Sequence, residues 1–338
     1  MQDFIISQAL KSFTPRRFIN VAQSIGGFAA SVALRRPIIW GLPPVLTVEP
    51  TNYCNLDCPL CVTGSGKLTR SQGRMHPETF QRVIDEIGDK IWYVILYHQG
   101  EPYLNNGFLD CVRYAKKHKL YTETSTNAHY LTPQNAERTV EAGLDAMIVS
   151  LDGVTQKTYE KYRVKGELER VLSGVRNLVA AKKKAGSKTP YILLQFLVMR
   201  HNEHEIEEVK RVAKELEIDR LLLKNIQVET HDEALEWMPK NENFQRYEVL
   251  EDAIKVRRNG RSVCPRPWLS TLMNWDGTVV PCCFDKNGAH TMGDTTNGEK
   301  FVQVWSKNEY NAFRKNMLNQ RDEIEICRNC NQGFNVWI

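Results

Sequence analysis

Three cysteines, Cys54, Cys58 and Cys61, stand in a C-x3-C-x2-C array just after a short apolar run, Val45–Glu49. Three thiolates on one loop can hold three corners of a 4Fe–4S cube and leave the fourth iron open to a ligand. Zinc would call for a fourth protein ligand close by. The nearest imidazole, His76, directly precedes Pro77, where it reads as the residue before a helix. A second set follows far along the chain as Cys264-x12-Gly277-x4-Cys282 and then Cys327-x2-Cys330, with Cys283 as a spare. Four such thiolates suit either an auxiliary iron–sulfur cluster or a zinc ribbon. Cys111 stands alone on a helical pattern and reads as core packing.

The chain has 338 residues and nine cysteines. An odd count in two distant sets is unlike the dense pairing of a small disulfide scaffold. The opening Met1-Gln2-Asp3-Phe4 lacks the charged start and cleavage site of a secretory signal. The reading is a reducing cytoplasm with cysteines used as metal ligands. A net charge of +5 is mild, fits an anionic ligand and carries no nucleic-acid signature. No apolar run reaches the ~20 residues of a membrane span; the run Ile25–Leu34 is closed by Arg35 and Arg36.

The elements that must position these residues fall into four stretches. Residues 1–44 form an amphipathic helical lead: Phe4, Ile5, Ala9, Leu10 and Phe13 recur at helical spacing, the pattern continues over Phe18–Ala33, and Lys11, Arg16, Arg17, Arg35 and Arg36 are its basic residues. It reads as helices packed on the main domain or as an interfacial membrane helix. Residues 45–228 alternate strand and helix. The strands are Val45–Glu49, Tyr93–Tyr97, Tyr121–Thr124, Ala146–Leu151, Ile192–Met199 and Arg220–Lys224; the helices are Pro77–Ile87, Phe108–His118, Pro133–Ala142, Leu168–Ala185 and Glu203–Glu215. That alternation predicts an α/β fold with parallel strands, six units curling into a partial (β/α)6 TIM-like barrel. Residues 229–262, strongly charged from His231 to Arg258, read as a helical connector. Residues 263–338 form a small Cys-rich domain in which Leu269–Trp275 and Thr278–Cys282 flank the Asp276-Gly277 turn of a β-hairpin. Asn308–Leu318 reads as its helix.

The first cysteine array and the motifs after it resemble the radical S-adenosylmethionine (SAM) superfamily. Gln99-Gly100-Glu101-Pro102, after the second strand, is similar to the Gly-Gly-Glu-Pro motif that binds the amino group of SAM. Ser125-Thr126-Asn127 follows the third strand. Ser150-Leu151-Asp152-Gly153 ends the fourth and resembles the motif whose serine contacts the ribose; Ser150 and Asp152 also suit the capping of a helix start. Arg163 stands where relatives place an arginine on the SAM carboxylate, or makes a surface ion pair. The resemblance thus implies SAM contacts at Gln99, Gly100, Glu101, Ser125, Asn127, Ser150, Asp152 and Arg163, and a SAM-binding cluster on Cys54, Cys58 and Cys61. Gln99 replaces the first glycine of the motif, and Leu60 stands where an aromatic residue usually precedes the third cysteine.

The second set resembles the SPASM and twitch auxiliary domains of the same superfamily. It implies one auxiliary 4Fe–4S cluster on Cys264, Cys282, Cys327 and Cys330. In sulfatase-maturing members an Asp follows the second of these cysteines and is proposed as a base; Cys283 holds that place here.

These resemblances imply an enzyme that cleaves SAM reductively and abstracts a substrate hydrogen. With a fully ligated second cluster as electron acceptor, the expected outcome is oxidation or rearrangement of a small polar molecule: a sugar, a cyclitol or a lipid head group. The nearest functional parallel is the aminocyclitol dehydrogenase of aminoglycoside biosynthesis. Peptide modification, lipid modification with membrane contact through residues 1–44, and a non-catalytic iron–sulfur or zinc protein are the alternatives. Flavodoxin or ferredoxin is the implied reductant. His98, Asp152, Lys224, Glu229 and Asp285 are candidate bases, none singled out.

Overall fold

A computed structural model of the chain describes residues 12–257 and 263–330. The lead contributes one helix, α1 (Pro15–Leu34), started by Thr14, whose hydroxyl accepts from the Arg17 amide, and by Pro15 in the first turn. Lead residues 1–11 lie outside the described residues. The barrel then runs β1 (Val45–Val48), α2 (Pro77–Ile87), β2 (Tyr93–Ile95), α3 (Phe108–Lys117), β3 (Tyr121–Thr126), α4 (Pro133–Ala142), β4 (Ala146–Ser150), α5 (Gln156–Tyr162), α6 (Leu168–Lys184), β5 (Tyr191–Val198), α7 (Ile206–Glu215) and β6 (Arg220–Asn225). All six strands predicted from the apolar runs are present. The short α5 is the addition; a Thr155–Thr158 capping box starts it, and seven residues are too few to show a period.

The stretch 229–262 differs from the helical connector expected. Its described part holds one helix, α8 (His231–Trp237), and an antiparallel hairpin of β7 (Tyr247–Val249) and β8 (Ile254–Val256). The charge content suggested helix, whereas the two strands, three residues each, alternate apolar and charged side chains with period two. Beyond it come α9 (Arg266–Leu269), β9 (Ser270–Met273), β10 (Thr278–Val280), β11 (Gly293–Asp294), α10 (Phe301–Ser306), α11 (Asn308–Asn319) and α12 (Glu325–Arg328). The Asp276-Gly277 hairpin forms as expected: β9 and β10 are antiparallel, and Gly277 takes φ +87°, a conformation glycine adopts without steric cost.

The Cys-rich module is not a satellite held apart. Its β9 pairs in parallel with β1, from Val45↔Ser270 to Val48↔Met273, so a single nine-stranded sheet runs β11-β10-β9-β1-β2-β3-β4-β5-β6. Side chains alternate across that sheet. One face carries Leu46, Val94, Leu96, Met147, Val149, Ile192 and Leu194 into the main core, together with helix residues such as Phe80, Val112 and Leu178. The other face carries Val45, Tyr93, Ile95, Tyr121, Ala146, Ile148, Leu193 and Leu222 into smaller clusters lining the inside of the curved sheet. The main core also includes Trp268, Met273, Phe301 and Trp305 of the C-terminal module, so one hydrophobic core serves both halves.

Helix α1 straps the two halves together. The buried Arg17 donates to the carbonyls of Ser12, Gly88, His118 and Lys119 around the bottom of α2 and α3. On the other side Trp268 Nε1 donates to Ser31 Oγ at 3.0 Å, and Arg35 to the Leu318 carbonyl. Phe18, Ile19, Ile25 and Leu34 on α1, with Trp40 beyond it, face outward. Among the described residues no helix is long and apolar enough to cross a membrane.

Candidate functional site

The motif residues of the barrel lie at the C-terminal ends of strands or in the loops that follow, the edge where barrel folds gather their chemistry, except Arg163, which caps the end of α5 and reaches back to that edge. The loop after β1 carries Cys54, Cys58 and Cys61. It closes tightly on itself: the Cys61 amide donates to the Cys58 carbonyl at 3.1 Å, and a Cβ at Gly64 would meet the Cys58 amide nitrogen at 2.5 Å. Burial pushes the Cys54 thiol up to about 12, and the charges of Glu101, Cys58 and Cys61 add to the rise. Burial likewise raises Cys58, with Arg163 opposing it. Cys111 is raised as far by its apolar surroundings, but no other cysteine contributes there. What sets the loop apart is three thiols near enough to resist joint ionisation, a cost that a cationic iron centre relieves.

The loop after β2 turns through Gly100 at φ +76°, and a Cβ there would stand 2.6 Å from the carbonyls of Thr51 and Tyr53. The turn presses Glu101 against the cysteine loop, with the Glu101 amide donating to the Tyr53 carbonyl at 2.8 Å. The Glu101 carboxylate is buried and well supplied. Oε1 accepts from Thr126 Oγ1 (2.8 Å) and the Tyr103 amide (3.2 Å), and Oε2 accepts from the Asn127 amide (2.8 Å). Two lone pairs on each oxygen leave one accepting position, on Oε2. Burial raises this carboxyl to about 7 against those bonds and the nearby charge of Arg163, and an incoming ammonium would find the open position on Oε2. Asn127 Nδ2 donates to Asn55 Oδ1 at 2.8 Å, and Gln99 Oε1 accepts from Thr63 Oγ1 at 3.1 Å with Cys61 Sγ 3.9 Å away.

Arg163 and Asp152 form a buried ion pair rather than a surface one, Nε to Oδ2 at 2.5 Å. The other Asp152 oxygen accepts the Leu197 amide at 2.7 Å. Its carboxylate is thereby committed, and it orients Arg163, whose Nη1 reaches 3.8 Å from Cys58 Sγ. Ser125 and Ser150 share the inner face at the ends of β3 and β4, by the alternation that places Tyr121 and Ile148 there. The barrel mouth thus brings together Gln99, Gly100, Glu101, Asn127, Arg163 and the three cysteines, with Asp152 behind them. One member was not legible in the sequence. Glu49, at the end of β1, is an ion-pair partner of Arg70 and accepts from the amides of Gln99 and Trp275, tying the Cys loop, the Gly100 loop and the hairpin into one unit.

In the C-terminal module Cys264, Cys282, Cys327 and Cys330 line a single cavity, with Arg266 and Arg321 on its wall. Burial raises the Cys264 and Cys282 thiols and pushes Cys327 up to about 12, the charges of Cys264 and Cys330 adding to the last. The four cysteines thus face one space, as the thiolate ligands of a single cluster must. Cys283 is not among the lining residues. It lies 3.9 Å from Arg266 Nη1 and within electrostatic reach of Tyr97, towards the inside of the barrel. Of the candidate bases, Asp152 is committed to Arg163, Asp285 accepts the amides of Ala289 and His290 at 2.8 Å each, Glu229 is exposed, and burial lowers His98 to about 3.

Residues 48–213 match the family model of the radical SAM superfamily. The chain belongs to that superfamily. Residues 264–331 match SPASM, an iron–sulfur cluster-binding domain, so the enzyme carries a SAM-binding 4Fe–4S cluster and auxiliary iron–sulfur binding. It is 25% identical over 302 residues to the tungsten-containing aldehyde ferredoxin oxidoreductase cofactor-modifying protein of Pyrococcus furiosus, covering 80% of this chain and 82% of that one. It is 30% identical over 171 residues to the mycofactocin maturase MftC of Mycobacterium tuberculosis, covering 51% of this chain and 42% of the maturase, so it matches less than half of that relative. Among solved structures, Streptococcus suis SuiB bound to its precursor peptide SuiA superposes with a TM-score of 0.62 at 14% identity, covering 90% of this chain and 74% of that one. That likeness bears out the TIM-like α/β fold.

Proposed function

We propose that this radical SAM enzyme oxidises a small polar substrate held inside the barrel, with the C-terminal module as electron acceptor. In this reading Cys54, Cys58 and Cys61 hold the SAM-binding cluster. The free position on Glu101 Oε2 takes the SAM amino group. Gly100 allows that approach, Arg163, set by Asp152, faces the SAM carboxylate, and Gln99, Ser125, Asn127 and Ser150 line the remaining contact surface. The bound cofactors supply a one-electron cleavage of SAM that yields methionine and a hydrogen-abstracting 5′-deoxyadenosyl radical. The observation that carries the oxidative part is the four-cysteine cavity. A cluster ligated there by Cys264, Cys282, Cys327 and Cys330 has no open iron, so it suits taking up an electron better than binding substrate. A substrate that lost a hydrogen atom would still have one electron and one proton to give up; a cluster held by Cys264, Cys282, Cys327 and Cys330 would accept the electron and a base the proton, which balances as a two-electron oxidation. Flavodoxin or ferredoxin would deliver the electron that starts each cycle.

Peptide modification is the second reading, supported by the maturase relative and the peptide-bound fold neighbour. The open cleft between the Cys loop, the segment after β6 and the turn after β10, lined by Val62, Lys67, Gln227, Glu229 and Lys286, offers a chain a route to the mouth. The deciding experiment measures 5′-deoxyadenosine from SAM under anaerobic reduction, with either a low-molecular-weight metabolite fraction or a peptide fraction added. Stimulation by the metabolites supports the oxidase. Stimulation by peptides alone moves the assignment to the second reading, and no deoxyadenosine from a protein with full iron would sink both.

A further inference from the structure

Helix α1 is built with its polarity reversed. The side chains it buries are Arg17, Asn20, Ser24 and Ser31, with Phe28 as the one large apolar member. Main chain holds the polar ones: Asn20 Nδ2 and Ser24 Oγ both donate to the Leu42 carbonyl, at 2.9 and 2.7 Å, and Ser31 Oγ donates to the Gly27 carbonyl at 2.7 Å. The outward side is apolar. Phe18, Ala22, Ile25, Ala29 and Val32, spaced four and three residues apart, keep to one face for about four turns, and all five are exposed. Among the exposed positions of the helix only Arg16 and Gln23 are polar. A surface helix ordinarily buries its apolar stripe and wets its polar one. An apolar stripe turned outward over the whole length of a helix marks a surface with a partner.

We propose that α1 is an interfacial anchor that seats the enzyme on an anionic lipid surface, the helix lying in the plane of the headgroups. Charge selects this occupant. From Ser12 to Val48 the chain has four arginines and no acidic residue. Arg17 is committed to the interior, but Arg16 stands exposed at the start of the helix, and Arg35 and Arg36 stand exposed at its end. Arg16 does pair with Asp89, at 3.0 Å, but both side chains are in water, where such a pair is worth little. A second copy docked through this face would set arginine ends against arginine ends, whether the helices ran parallel or antiparallel. Anionic headgroups answer both ends at once, while Phe18 and Ile25 enter the acyl boundary. Trp40 joins them: its ring lies beside Gly26 of the helix, where a Cβ would come within 3.0 Å of it, and the residue is 58% exposed. Orientation follows from the inner face. Arg17 and Asn20 hold carbonyls of Gly88, Lys90, His118 and Lys119, which precede β2 and β3. The anchor thus lies at the end of the barrel opposite the Cys loop and Glu101, and the seated enzyme keeps its mouth open to water. The anchor is independent of which substrate that mouth takes.

The test is flotation of the anaerobically reconstituted full chain with vesicles, either phosphatidylcholine alone or equal parts phosphatidylcholine and phosphatidylglycerol. The enzyme is expected to rise with the mixed vesicles, less so at high salt, and to stay behind with phosphatidylcholine. Phe18→Ser/Ile25→Ser is expected to weaken partitioning about tenfold or more. Arg16→Gln/Arg36→Gln is expected to weaken it roughly tenfold, and Arg16→Lys/Arg36→Lys to restore it. All these side chains are exposed and far from both cysteine sets, so iron content, circular dichroism and deoxyadenosine formation should match wild type. No flotation with the mixed vesicles overturns the anchor, as does flotation that neither double variant changes. Equal flotation with phosphatidylcholine alone overturns the anionic surface as its partner. A dimer in sedimentation velocity that Phe18→Ser/Ile25→Ser splits gives the face to a second copy and overturns the proposal too. Deoxyadenosine formation is read separately. If it fails in wild type while flotation follows these residues, the catalytic reading falls and the anchor stands.

Discussion

At Gly100 the backbone takes φ +76° with two carbonyls 2.6 Å from where a Cβ would sit. A side chain there meets main chain, which cannot rotate away. Gly100→Ala is expected to lower stability by ~1–3 kcal/mol and to abolish SAM binding, because the displaced turn carries Glu101. Anaerobic calorimetry with SAM, alongside a urea titration, checks both; SAM binding at wild-type strength would remove this loop from the SAM site. Glu123 supplies a pH test. Burial raises its folded value to about 7 from the model-compound 4.5, with Tyr93 and then Lys224 opposing the rise. The folded protein therefore holds a proton between those values that the unfolded chain has released. Stability from this group is present below pH 4.5 and lost as pH rises towards 7. Glu123→Gln, which mimics the protonated acid, should match wild type at the acid end and exceed it above pH 7 by at most about 3 kcal/mol. Urea midpoints of the apo-protein across that window decide it; a gap that does not vary with pH would mean Glu123 is ionised throughout. The cysteines and Gln99-Gly100-Glu101 were legible because their chemistry is written in type and spacing. The burial of Glu123 was not: one acid in Tyr121–Thr126 reads as inward-facing only when the inner face of β3 is known.

The same limit operates on elements. The barrel strands and their helices showed as long alternating segments, each with its own apolar period and, at Pro77 and Pro133, its own start. The hairpin of β7 and β8 has three residues a side, too short for a period to emerge from a charged stretch. The pairing of β9 with β1 was equally hidden, since β1 sits more than two hundred residues upstream and parallel contacts leave no local mark. Helix α1 was visible as an amphipathic run, but its hold on the ends of α2 and α3 centres on one buried guanidinium. Arg17 Nη1 and Nη2 reach four carbonyls from three segments. Arg17→Met keeps the stem and removes every donor, leaving those carbonyls short of partners at a cost of about 3 kcal/mol or more. Limited proteolysis should then cut near α1 before the barrel yields, and the urea midpoint should fall. A variant as resistant as wild type would show that Trp268, Arg35 and Asn20, whose Nδ2 donates to the Lys90 carbonyl at 3.2 Å, hold the helix without it.

Across the whole molecule, one continuous sheet joins the two cysteine sets. The loop after β1 carries the first, β1 pairs with β9, and β9 leads through β10 to Cys282. Arg70 strengthens the join, pairing with Glu49 under the first set while its Nε donates to the Lys286 carbonyl beside the second, at 2.7 Å. A rigid join suits electron transfer, which needs a fixed separation but no motion. It also means each set can be emptied without unfolding the other, because the shared core of Leu46, Met273, Phe301 and Trp305 contains none of the seven cysteines proposed as ligands except Cys264 and Cys327 at its margin. After anaerobic reconstitution the wild type should carry about eight iron and eight sulfide per chain. Cys54→Ala/Cys58→Ala/Cys61→Ala should fall to about four and lose SAM cleavage entirely. Cys264→Ala/Cys327→Ala/Cys330→Ala should also fall to about four, yet still form deoxyadenosine, since SAM meets only the first set. Deoxyadenosine formation that vanishes with the second set would mean the electron enters through that module rather than leaving by it. Zinc in place of the second four irons would keep the radical chemistry and remove the acceptor, and with it the oxidation.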